Sequence, residues 1–227
     1  MTQNIFANLK TDVEVKETKQ DVIFNVPDIL DSGVYNAIIN QCYATESKGG
    51  ALGLVLDLIL KNKGNETKFI TTLWITNRNK EITFKNSKGE HQYMLGYLQA
   101  QSLCKHLANK TLQEMTCKEM PRLDQMVNGY PELSGKKLAV GILKVRENKQ
   151  VLNGTRYEPS NEEVFRNNLD KLFFIKNNEL YTSTELDTGS EPKFLNQWID
   201  KWEGQVQNRF KEIATATTHT TTPLEIG

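Results

Sequence analysis

Three runs and two turns decide the fold: Gly33-Val-Tyr-Asn-Ala-Ile-Ile-Asn-Gln-Cys-Tyr43, Ser47-Lys-Gly-Gly50, Ala51-Leu-Gly-Leu-Val-Leu-Asp-Leu-Ile-Leu60, Lys61-Asn-Lys-Gly-Asn-Glu66 and Thr67-Lys-Phe-Ile-Thr-Thr-Leu-Trp-Ile-Thr76. The runs are apolar and β-rich, and the turns are glycine, asparagine, serine and lysine. Glycine supplies the positive φ that tight hairpin turns require. The reading is a three-stranded meander. In the second run Leu52, Leu54, Leu56, Leu58 and Leu60 fall on one side of a period-two strand and mark the core face. Ala51, Gly53, Val55, Asp57 and Ile59 take the other side. In the third run Phe69, Thr71, Leu73 and Ile75 alternate with Lys68, Ile70, Thr72, Trp74 and Thr76. A face combining a tryptophan, a lysine and hydroxyls suits either a binding surface or a second packing layer.

Working outward, residues 1–21 are polar and read as a flexible N-terminal arm, and Val22–Val26 as a short strand before Pro27. After Trp74, Glu81–Lys85 and Asn86–Glu90 predict a hairpin that extends the third strand. Tyr97, Ala100, Leu103, Cys104, Leu107 and Ala108 repeat at helical spacing, so an amphipathic helix is expected over 97–108. Leu112–Met126 reads as an irregular excursion. Lys136–Arg146 returns to β character, Glu147–Gly154 reads as a loop, and Glu163–Arg166 with Lys171–Ile175 as a last strand or broken pair. Glu191-Pro192 opens a helix through Trp198 and Trp202, which form a packing stripe, with proline at a tolerated first-turn position. Residues 213–227 are threonine-rich and read as a disordered tail.

The expected fold is therefore mainly β with helices, and one domain over 22–212. Three strands, a helix and two further strands form the order of an OB-fold, a five-stranded, partly open barrel that commonly binds oligonucleotides or oligosaccharides on strands two and three. The helical insertion lies between strands three and four, and a C-terminal helix follows.

The chain has 227 residues, 38% of them hydrophobic, which supports a real core and excludes wholesale disorder. Net charge is zero, but its distribution is uneven. Residues 61–105 hold eight basic side chains against three acidic, and 157–203 hold ten acidic against five basic. That asymmetry predicts a basic working surface and an acidic flank. Cys42, Cys104 and Cys117 form neither a disulfide framework nor a zinc pattern, and the first two read as buried apolar residues. No apolar run approaches the ~20 residues needed to span a bilayer, so no membrane partner is expected and a cytosolic location is the default.

Ser47-Lys-Gly-Gly-Ala51 entering a leucine-alternating strand, Trp74-Ile-Thr-Asn77, Leu95-Gly-Tyr97 with Leu103-Cys104, and Leu195 through Lys201-Trp-Glu-Gly204 occur together in this order. In combination they resemble single-stranded DNA-binding proteins of tailed bacteriophages, over roughly Gly33 to Phe210. The resemblance implies an OB-fold protein that coats single-stranded DNA in phage replication or recombination, with no catalysis and no cofactor. It also implies phage polymerase or recombination proteins as partners, and the host bacterial cytoplasm as location. The threonine-rich end, with only Glu225 acidic, departs from the acidic recruiting tip of many such proteins.

Sequence-tolerant binding of single strands needs cations for phosphates and flat π-surfaces for bases. Trp74 is the expected stacking platform, with Lys68 and Thr76 on its strand face. Lys48, Lys61, Lys63, Arg78, Lys80, Lys85 and Lys88 supply cations from the turns, and Tyr43, Phe84 and Tyr93 are secondary stackers. Burial of Trp74 against the helix of 97–108 is the competing reading. No Gly-x4-Gly-Lys-Ser/Thr loop is present, so an NTPase is not expected. His91, His106 and His219 lack metal-ligand or triad spacing, and His106 reads as a helix surface residue. Two alternatives stand: a metal-dependent nuclease using Asp57, Glu66 and Lys68, and a protein-interaction module with Trp74 buried in an interface.

Overall fold

The alternation of 52–60 sets the core face: Leu54, Leu56, Leu58 and Leu60 are buried, and only Leu52, at the strand entry, is exposed. The computed structural model describes residues 29–62, 64–122 and 125–213. The arm of 1–21, the strand over 22–26, Lys63 and the tail from 214 lie outside the described residues.

The meander forms as read, from β1 (Gly33–Glu46), β2 (Leu52–Asn62) and β3 (Asn65–Trp74), antiparallel throughout. β1 carries a register shift between Ile39 and Gln41 that leaves Asn40 as an extra residue. Such a bulge reverses the side-chain alternation beyond it. Ala37 and Ile39 face the core before the bulge and Cys42 faces it afterwards, so Gln41 and Tyr43 are turned to the opposite face.

The expected extension of β3 is corrected by the structure. Ile75 and Thr76 both donate their N–H groups to the Leu52 carbonyl, and Asn77 Oδ1 accepts from the N–H groups of Asn79 and Glu81. The chain therefore turns away from the ladder, and β4 (Thr83–Lys85) and β5 (His91–Tyr93) pair as a separate two-stranded sheet. Helix α1 (Leu95–Leu103) follows and runs into a single π turn, Cys104–Ala108, that ends at Asn109 with φ of +54°. The excursion of 112–126 is more ordered than its composition suggests. It holds a capped 3-10 turn at Leu112–Glu114 and a hairpin of β6 (Lys118–Arg122) and β7 (Gln125–Gly129).

The largest correction concerns the expected loop at 147–154 and the break before 171. The structure has one long hairpin, β8 (Lys137–Asn153) with β9 (Arg156–Lys176). Cross-strand pairs explain it: Arg146–Glu163 at 2.6 Å, Lys149–Glu162 at 2.7 Å and Arg166–Glu147 at 3.1 Å line a polar ladder. Opposite charges across strands support pairing, but only once the partner strand is known. β10 (Glu179–Tyr181), α2 (Ser183–Thr188), α3 (Phe194–Trp202) and β11 (Val206–Asn208) complete the chain.

The main sheet runs β10-β9-β8-β1-β2-β3, with β11 parallel to β8 and the β6–β7 hairpin joined to β1 at Tyr43–Gly129. It is mainly β structure, but among the described residues the sheet stays open and does not close into the expected five-stranded barrel. Gly96, at the start of α1, is pressed against the Trp74 backbone, so this helix occupies the flank of β3.

One sheet face holds the main core, which α1 covers with Ala100, Leu103 and Cys104. On the opposite face α3 covers the β8–β9 half and reaches the start of β1, where Val34 packs against the same cluster. There Trp198 packs with Ala139, Val145 and Phe173, directly over Gly141, where an added Cβ would lie 3.0 Å from the indole. The expected Trp198 and Trp202 stripe thus does face a core. The rest of that face, over β2, β3 and the far end of β1, carries no helix among the described residues. Among the described residues no helix is long and apolar enough to cross a membrane.

Candidate nucleic-acid interface

The helix-free part of this face is built from cross-strand neighbours. Reading along β2 and β3, Gly53 lies opposite Trp74, Val55 opposite Thr72, Asp57 opposite Ile70, Ile59 opposite Lys68 and Lys61 opposite Glu66. β1 adds Tyr43 beside Val55 and Gln41 beside Asp57. Trp74 therefore sits on the sheet's outer face rather than beneath α1, and its side is 41% exposed. Gly53 is what lets the ring lie there. A Cβ at that position would come within 2.9 Å of Trp74 Cε3 and 2.7 Å of Thr72 Cγ2. The indole lies close against this glycine and is partly exposed.

Five cations lie in the turns and hairpin at this end of the chain's meander. The β1–β2 turn carries Lys48, and Arg78 folds its side chain over Gly49 of the same turn. Lys80 reaches Glu46 at 3.5 Å. The β4–β5 hairpin leads into the helix start beside Trp74 and brings Phe84, Lys85, Lys88 and Tyr93. Phe84 and Tyr93 are exposed, and Tyr93 stacks on Tyr97 with centroids 5.4 Å apart. Lys48, Arg78, Lys85 and Lys88 make no ion pair with any described residue.

Other expected residues fall elsewhere. Lys61 lies eight residues along β2 from Gly53, roughly 26 Å away at strand rise, and Glu66 faces it across the ladder. Thr76 lies beyond the end of β3 and turns inward; it is buried, and its hydroxyl accepts from the Leu52 N–H at 2.8 Å. Lys68 stays on the face but pairs with Asp57 at 3.1 Å. Tyr43 is buried, because Arg122 of β6 lies over its ring at 4.8 Å. Burial raises the Tyr43 hydroxyl pKa above its usual value, the guanidinium opposing it.

Arg122 and Ile70 were not singled out by sequence. Ile70 was legible as a member of the Trp74 face, and it is exposed beside Asp57. Arg122 reaches the face only through the β6–β7 hairpin, whose pairing to β1 has no local signal.

For the nuclease alternative, Asp57 lies opposite Ile70 while Glu66 is four residues away on β3, roughly 13 Å along the strand. The two carboxylates are not brought together. No group of three or more histidine, cysteine, aspartate or glutamate side chains is placed to hold a metal among the described residues.

The acidic flank is partly an internal resource. Asp170 accepts from Trp198 Nε1 at 2.7 Å, and Glu185 caps α2 while accepting from the Phe194 N–H at 2.8 Å. Glu162 and Glu163 are paired on the β8–β9 arm. His106 is likewise not a surface residue: its ring packs on Phe174 and its Nε2 bonds Ser183 Oγ at 2.8 Å.

No protein-family model matches this chain, and no curated protein matches it.

Proposed function

We propose that this protein binds single-stranded DNA with little sequence preference, using the open β1–β3 face and the cationic turns at its Trp74 end. The observation that carries the reading is the half-exposed Trp74 indole, close against Gly53 at the end of the sheet where the β1–β2 turn carries the unpaired Lys48 and Arg78 lies over Gly49. A π-platform next to free cations suits a base with its attached phosphate. The strand order β9-β8-β1-β2-β3 supports an OB-like reading, in which β1, β2, β3, β8 and β9 take the five strand roles and strands two and three carry the ligand. In that reading the protein coats and protects single strands in phage replication or recombination. It hands them to polymerase or recombination proteins without catalysing a reaction itself.

The test is fluorescence anisotropy of a labelled oligo-dT against a duplex of equal length, at two salt concentrations with magnesium present. Tight, salt-sensitive binding that prefers the single strand, with the oligonucleotide intact afterwards, is the expected result. Each phosphate neutralised on a single strand adds about 0.7 to the slope of log K against log salt. Removing Lys48 and Arg78 together should therefore flatten it by about 1.4. An unchanged slope rejects these cations, cleavage moves the reading to a nuclease, and no binding at either salt leaves a protein-interaction module.

A further inference from the structure

Asp57 is the residue on this face that a polyanion-binding surface does not explain. It is central in β2 and 3% exposed. The β1 bulge aims Asn40 at it, and Asn40 Nδ2 donates to Asp57 Oδ2 at 3.3 Å. Lys68 Nζ takes the same oxygen at 3.1 Å. Asp57 Oδ1 has no hydrogen-bond partner among the described residues. Buried polar atoms are satisfied almost everywhere in folded proteins, so an orphaned carboxylate oxygen needs a donor.

Its surroundings state what kind of donor fits. Ile70, directly across the ladder, is 46% exposed and offers a flat apolar rest. Gln41, on the other side, has its amide nitrogen on the Pro121 carbonyl at 3.3 Å and supplies nothing to Asp57. Lys68 is 61% exposed along its side chain, so it is free to leave Asp57 for a phosphate. Oδ1 itself is buried, so a base edge resting on Ile70 reaches it only as Lys68 swings clear of the carboxylate.

We propose that Asp57 is a base-reading residue: its free oxygen accepts a hydrogen bond from the exocyclic amino group of a base resting on Ile70, while Lys68 moves to the adjacent phosphate. This rests on the single-strand reading above. Carboxylates accept from the cytosine N4 amino group, whereas thymine and uracil present a carbonyl oxygen at that position. The edges of unpaired bases are free for such contacts. The surface is thus tolerant of sequence without being indifferent to it, favouring cytosine over uracil and thymine.

The experiment compares oligo-dC with oligo-dU of equal length at neutral pH, because the two bases differ chiefly at position four and neither carries a methyl group. The full chain is expected to bind oligo-dC about tenfold more tightly, the scale of one hydrogen bond to a charged group. In Asp57→Leu the ratio should fall to within about twofold, while Lys68→Ala should weaken both ligands and keep their ratio. Equal binding of the two by the unmodified protein overturns the proposal, and means that Oδ1 is satisfied by water. A ratio that survives in Asp57→Leu also overturns it. If Asp57→Leu does not fold, the ratio in the unmodified protein still decides. Binding of neither ligand overturns the single-strand reading itself, and this proposal with it.

Discussion

Replacing Trp74 separates the two jobs that a half-exposed indole on a sheet can do. The ring lies close against Gly53 and the residue is 41% exposed, which leaves room for one base. A base–aromatic stack contributes about 1–3 kcal/mol, which is roughly 5- to 160-fold in Kd. Truncating a fully buried tryptophan costs about 3–5 kcal/mol. With the ring half covered, Trp74→Ala should cost about half of that in stability, and stability loss would then blur the binding result. Trp74→Leu is the cleaner change, because it keeps apolar cover over Gly53 and removes the π-face. It should cost about 1 kcal/mol, less than the alanine change because part of the cover is kept, a Tm shift of a few degrees for a chain of this size. Affinity for oligo-dT should fall at least about fivefold, and Trp74→Phe, which keeps a ring, should retain most of it. A second readout uses intrinsic fluorescence. The chain has three tryptophans. Trp198 is buried under α3, and Trp202 packs against the same cluster. Quenching on DNA addition should therefore vanish in Trp74→Phe. Undiminished affinity in Trp74→Leu, or quenching that persists without Trp74, would refute the platform. Unfolding of Trp74→Leu would assign the ring to the fold instead.

Two further outcomes follow from packing and titration. Trp198→Ala removes a 3% exposed indole together with its hydrogen bond to Asp170, so urea unfolding should show a loss of about 3–5 kcal/mol; a loss under about 1 kcal/mol would mean that α3 is not packed on β8–β9. His106 has its pKa lowered from 6.5, first by burial and then by Lys105, with Asp187 opposing. The folded protein resists the proton, so below about pH 6.5 the unfolded chain binds it first and stability falls with pH, levelling off below the folded pKa. The urea midpoint should drop between neutral and mildly acidic pH, and His106→Gln should reduce that drop; an identical drop in the variant would assign it to other groups.

The meander was legible because its signals are local. Alternating leucines, glycine turns and a long β-rich run need no knowledge of distant partners, and the Trp74 face followed from parity alone. What was illegible depended on pairing. Lys149 to Asn153 has the composition of a loop, and it is a strand because Glu162 and neighbouring residues of β9 lie opposite it. The bulge at Asn40 reverses the parity of β1 without a glycine or proline to mark it, so the placement of Gln41 and Tyr43 was hidden. Arg122 reaches Tyr43 across nearly eighty residues of sequence through a single hairpin. Thr76 shows the limit of parity: it continues the Trp74 pattern on paper, but the turn begins one residue earlier and carries its hydroxyl to Leu52.

The zero net charge does not argue against a polyanion ligand, because cations count only where they are free. On the β8–β9 arm Arg146, Lys149 and Arg166 each hold a glutamate. Near α1 and α2 Lys105 holds Asp187, and Lys110 holds Glu132. A phosphate approaching those residues must displace a carboxylate at short range, which offsets most of what it gains. At the Trp74 end Lys48, Arg78, Lys85 and Lys88 meet no such competitor among the described residues. Counterion release there is gained without breaking a pair. The same distinction assigns Lys68 an intermediate role, since binding a phosphate costs its contact with Asp57. That cost is recovered only where a ligand donates to the vacated carboxylate. With either ligand the lysine has left Asp57, so Lys68→Ala should weaken oligo-dC and oligo-dU to the same degree, and the ratio between them stays with Asp57.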